Sequence, residues 1–145
     1  METTVKKAKL RKGLSLVEIV AVVAIIAIIS LAAIARFNDI TEASRVSTLD
    51  STFNTFVAAI TMYEAVSGDR PGGWAALDDF IQGTADASMF VNIGSTANPV
   101  VVNLDFSGGH VVGTITMANL NGDHSNRQGD FNTTTGMYTL SIDTR

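Results

Sequence analysis

Gly13-Leu14-Ser15-Leu16-Val17-Glu18, running on into Ile19-Val20-Ala21-Val22-Val23-Ala24-Ile25-Ile26-Ala27-Ile28-Ile29, Ser30 and Leu31-Ala32-Ala33-Ile34-Ala35, decides how the rest of the chain is read. As a helix, the twenty-two residues 14–35 extend about 33 Å at ~1.5 Å per residue, close to the ~30 Å hydrocarbon core of a bilayer. They are long and apolar enough to span a membrane. Glu18 is the only charge among them, and Ser15 and Ser30 are the only other polar side chains. A charge at the centre of a membrane helix costs about 2.5–3.5 kcal/mol, so Glu18 is expected to have a partner or a task.

Before this run stand Lys6, Lys7, Lys9, Arg11 and Lys12, and then Gly13. A secretory signal places its apolar region ahead of the cleavage site and loses it on processing. Here the order is inverted, and the apolar run would survive a cut at the glycine. Basic leader, glycine, an acid five residues later and an uninterrupted apolar helix together resemble the processing site of type IV prepilins and pseudopilins. The resemblance implies cleavage between Gly13 and Leu14 by a prepilin peptidase and N-methylation of the new Leu14 amine. It implies three segments: a leader 1–13, a transmembrane or filament-core half-helix 14–35, and a head 36–145.

Charge divides at the same glycine. The leader holds five of the ten basic residues and one of the fourteen acids, leaving five arginines against thirteen acids, a side-chain charge of −8 with no lysine. That balance argues against nucleic acid as a partner, since phosphate binding rests on Lys and Arg. The basic flank also sets orientation: it stays cytoplasmic and the remainder lies outside. Cysteine is absent, which excludes disulfides and thiolate metal sites. Many type IV pilins close a C-terminal loop with a disulfide, so another device must hold that region here.

After Ala35 the apolar residues thin to a stripe of Phe37, Ile40, Ala43, Val46, Leu49, Phe53, Phe56, Val57, Ile60 and Tyr63, at the spacing of an amphipathic helix. Asp39, Glu42, Arg45 and Asp50 are read as lying off it. No glycine or proline interrupts residues 14–67, which predicts one helix to about residue 66, roughly 80 Å long. Type IV pilins often carry a helix-breaking proline where this chain has Ala35. The helix ends at Ser67-Gly68-Asp69-Arg70-Pro71-Gly72-Gly73 and opens a loop 67–98, in which residues 74–82 suit a short helix with Trp74, Leu77, Phe80 and Ile81 inward.

Beyond the loop the period becomes two. Residues 99–106 and 111–118 read as strands joined at Ser107-Gly108-Gly109-His110, 137–142 as a third strand, and 89–93 as a weaker fourth. So few strands make a one-sided sheet, whose natural cover is the helix between Phe37 and Tyr63. The expected fold is α+β: a long N-terminal helix, membrane-spanning and then amphipathic, packed on a small antiparallel sheet over 99–145, as in type IV pilins.

No nucleophile elbow, phosphate loop, H-E-x-x-H or dinucleotide fingerprint occurs, so no enzymatic activity is expected. His110, in the hairpin turn, and His124, in a polar loop, are expected to be solvent-exposed. Asn119, Asn121, Asp123 and Asp130 are candidate calcium ligands, since calcium takes six to eight oxygens and some pseudopilins carry a C-terminal calcium site. Against calcium, no glycine sits where an EF-hand loop needs one, and these residues are also ordinary turn formers.

The resemblance implies a pilin waiting as a single-pass inner-membrane protein, in contact with lipid, until an assembly platform draws it into an extracellular homopolymeric filament. A pseudopilin of a type II secretion system or a minor pilin would share every N-terminal feature. The resemblance gives Glu18 the task of neutralising the Leu14 amine of a neighbouring subunit. The intramolecular alternative is a carboxylate in the first turn complementing its own helix dipole.

Overall fold

The computed structural model describes residues 15–145, without the side chain of Ala35. Two units emerge, one ending at Phe37 and one covering Asn38–Arg145. Helix α1, Leu16–Ser67, belongs to both. It is continuous because nothing in fifty-two residues removes a backbone donor or loosens the backbone. It stops where Gly68 takes a left-handed φ of 72°, with its N–H on Glu64 O and the Ser67 hydroxyl on Tyr63 O.

In the first unit the large apolar side chains of α1 stand exposed, among them Leu16 at 78% and Ile34 at 59%. Ser30 is satisfied within the helix, its hydroxyl donating to Ile26 O at 2.7 Å.

In the second unit the same helix buries a seam. Glu42, Val46, Leu49, Phe53, Phe56 and Ile60, alternately four and three residues apart, are all buried. The expected stripe merged two lines. At about 100° per residue Ile40 lies roughly 160° round the helix from Glu42; it is 64% exposed, and Phe37 is 66% exposed. The seam continues through Glu42 instead.

Four antiparallel strands cover that seam: β1 Val100–Asp105, β2 Val112–Met117, β3 Asp130–Asn132 and β4 Met137–Asp143, in the order β1-β2-β4-β3. Ile115, Met117, Tyr138, Leu140 and Ile142 point into one core with the helix seam. Gly113 faces Leu104 with φ 155°, where an added Cβ would lie 1.9 Å from Asn103 O. Only glycine fits there. The α+β layering expected from the sequence is present, as is the β1–β2 hairpin with its turn at Ser107–Gly109.

Two expectations for the strands need correction. Residues 89–93 form no strand: Ser88–Val91 is a one-turn helix, α2, because the Asp86 carboxylate accepts Ser88 N–H and starts a run of local bonds, Met89 N–H to Asp86 O among them. The fourth strand is β3, which carries one apolar residue, Phe131, and pairs on β4 opposite Tyr138. Residues 74–82 start as a 3-10 turn, Trp74–Leu77, with Leu77 and Ile81 buried. Trp74 packs between Phe56 and Phe106, each with centroids 5.2 Å away, which anchors the loop.

Candidate functional site

Gly13 and Leu14, the expected processing and methylation positions, lie outside the described residues. The description begins at Ser15, whose backbone N–H donates to Glu18 Oε2 at 2.7 Å. Ser15 precedes the first helical residue and Glu18 is third in the helix, the S-x-x-E arrangement in which the acid reaches back to the first unsatisfied donor. Within one chain, then, Glu18 has an intramolecular partner, the Ser15 N–H at the helix start, which the sequence reading did not name.

The second cluster lies in the head and answers what closes a C-terminal region without cysteine. Glu42 Oε1 accepts Asn121 N–H at 2.9 Å, Gly122 N–H at 2.8 Å and His124 Nε2 at 3.1 Å. Burial acts to raise the Glu42 carboxyl, but the Gly122 N–H, the His124 ring and the Asn121 N–H outweigh it and hold the group below its usual range. The His124 ring stands edge-on to Phe131, centroids 5.3 Å apart. The exposure expected of His124 is thus wrong: it is 5% exposed, because its loop folds back onto α1 and its ring fills the space beside β3. His110 is partly covered, its ring against Gly108 O.

Two turns along α1, Asp50 makes a parallel clamp. Tyr138 donates its hydroxyl to Asp50 Oδ1 and accepts Gly129 N–H at 2.7 Å. Arg127 reaches Asp50 Oδ2 at 3.5 Å and Ala43 O at 3.0 Å. Burial first, and then the Asp50 carboxylate, push the Tyr138 phenol up to about 12, against the opposing Gly129 N–H. Gly129 is required at the crossing, since a Cβ would meet Thr139 O at 2.6 Å and the tyrosine ring at 2.8 Å. Arg45 fixes the other loop through Ile93 O and Gly94 O, at 2.6 and 2.9 Å. Charged α1 side chains thereby hold both long loops of the head.

The four candidate calcium ligands lie close in sequence but are placed separately by the fold. Asn119, at φ 60°, donates its amide to Ala97 O, and Asn121 supplies a backbone N–H to Glu42. Asp123 accepts Ser125 N–H. Asn119 and Asn121 line one cleft with Glu42, while Asp130 lines another beside β3. Among the described residues no three His, Asp or Glu side chains group closely enough to hold a metal ion.

Sequence reasoning missed Glu42, Asp50, Arg127 and Tyr138 as a structural network. One signal was present: Glu42 stands four residues before Val46 and so on the buried line. Comparison with protein-family models, with curated proteins and with solved structures finds no match to this chain.

Proposed function

We propose that the chain is a filament subunit of the type IV pilin class, anchored in a membrane by residues 14–35, processed after Gly13 and then polymerised through the same helix. The observation that carries this reading is the first half of α1. Twelve large apolar side chains between Leu16 and Ile34 are more than half exposed on a helix whose other half already has its sheet. At about 1.5–3 kcal/mol per fully buried aliphatic side chain, leaving them in water forfeits on the order of 15 kcal/mol, more than the whole stability of a typical domain. Lipid covers them before assembly, and neighbouring helices cover them in the filament.

Glu18 separates this reading from a plain membrane anchor. Glutamine serves in the same helix-start position as glutamate, so Glu18→Gln keeps the bond from Ser15 and removes only the charge. An anchor tolerates that change. A filament that buries the Leu14 amine against Glu18 does not, because an unpaired buried charge costs about 3–5 kcal/mol at every contact. Cells whose only copy is Glu18→Gln should process and insert the protein yet show at least a tenfold loss of surface filaments by electron microscopy. Unchanged filament yield would reduce Glu18 to a helix cap.

A further inference from the structure

We propose that Asn132 is an acceptor for an N-linked oligosaccharide. Of the nine asparagines only Asn132 is followed by X-Ser/Thr with X other than proline, as Asn132-Thr133-Thr134. That triplet is the acceptor pattern for sugar attachment on exported chains. Chance alone readily produces such a triplet, so its placement in the fold decides.

Asn132 ends β3, the outermost strand of the sheet, and is exposed together with Thr133, Thr134 and Thr135. A five-residue turn follows, closed by Gly136 N–H on Asn132 O at 2.9 Å and tied to the neighbouring loop by Leu120 N–H on Gly136 O. The Asn132 carbonyl Oδ1 accepts Thr134 N–H at 3.0 Å and Thr135 N–H at 3.1 Å. Both bonds occupy the oxygen. The reacting atom, Nδ2, has no hydrogen-bond partner among the described residues, and neither has the Thr134 hydroxyl. The carboxamide is held in one orientation, with its nitrogen and the required hydroxyl both available.

The donor is a lipid-diphosphate-linked oligosaccharide. The bond from Nδ2 to the anomeric carbon forms as the bond from that carbon to the diphosphate oxygen breaks. The lipid diphosphate leaves with the electron pair, and one Nδ2 proton passes to a base of the transferase. A sugar here would stand beside the free edge of β3, whose unpaired backbone groups otherwise invite strand addition. The inference rests on the proposed location of the head outside the cytoplasm.

Glycopeptide mass spectrometry on the full chain, purified from the cells that make it, tests this. The Asn132 peptide should be heavier by whole sugar residues in the natural chain and in Thr134→Ser. It should be bare in Asn132→Gln and in Thr134→Ala, which keeps Asn132 and both bonds to Oδ1. A bare Asn132 in the natural chain, a sugar surviving Thr134→Ala, or a sugar on Thr133 or Thr135 instead would overturn the assignment. The same spectra read the N-terminus. A chain starting at Leu14 with a bare Asn132 overturns this inference and leaves the proposed function standing, whereas a glycosylated chain retaining residues 1–13 supports it and removes the processing step.

Discussion

The two halves of α1 share a backbone and differ in what their side chains are given to hold. Residues 16–34 present apolar groups on every side, with one acid at the start and one serine bonded back into the helix. Residues 42–60 present a single seam, apolar beyond Glu42 and flanked by Arg45 and Asp50, and all three charged groups reach for particular atoms of the loops or of β4. Helix formation needs neither arrangement. The pattern of polar groups is what separates a half long and apolar enough to cross a membrane from a half matched to a single partner of defined shape.

Separating the halves gives the largest expected effect. A chain beginning at Asn38 should remain monomeric in water and keep its sheet, because its seam is already covered; sedimentation and circular dichroism check this. Aggregation without native structure would mean that the head depends on the preceding helix.

Next in size is Glu42, which sits on the seam yet bonds like a loop residue. Removing it in Glu42→Ala leaves two backbone donors and a buried ring without an acceptor, a loss of about 3 kcal/mol. Urea unfolding of the full chain in detergent, followed by Trp74 fluorescence, would register it, and a loss below about 1 kcal/mol would show the clamp to be incidental. The carboxyl titrates lower in the folded head than in the unfolded chain, where 4.5 is its ordinary value. Its contribution is therefore complete above about pH 4.5 and lost as pH falls through the lower folded value. Glu42→Gln should unfold with a weaker acid dependence than the natural chain.

Tyr138→Phe should cost less, about 1–2 kcal/mol, since it strands one backbone N–H beside a carboxylate that retains Arg127. The natural phenol, raised to about 12, supports the head fully below pH 10 and loses that support between pH 10 and 12. An alkaline unfolding step that persists unchanged in Tyr138→Phe would assign it to another group. Smallest is Ile40→Ser, off the seam and exposed, which should move head stability by no more than about 0.5 kcal/mol. A larger loss would return Ile40 to the core.

Much of the fold was legible because long periodic segments speak plainly. The helix end at Ser67-Gly68, the β1–β2 hairpin and the alternating Tyr138, Leu140 and Ile142 all follow from period and turn chemistry. β3 was not legible, since three residues with one apolar side chain carry no period, and its place comes from pairing with β4. Residues 89–93 misled for the converse reason: a short apolar run is ambiguous until a local cap such as Asp86 turns it. Glu18 was legible as unusual, but its bond to Ser15 was missed although the S-x-x-E spacing allows it. Of the head network, Glu42 could have been placed by counting from Val46. His124 and Arg127 could not, because contacts across some eighty residues leave no local trace.

Closure of the head by Glu42 and Asp50 joins partners 77 to 88 residues apart through hydrogen bonds and an ion pair, with no covalent link. Contacts so distant in sequence carry the closure entropy of a long intervening chain, so the 119–129 loop should be among the last parts of the head to dock during folding. Docking needs no oxidant and no thiol exchange. It proceeds alike in reducing and oxidising surroundings, and the loop can come away and return without breaking a covalent bond, at a rate that Asn121 and Gly122 amide exchange would report.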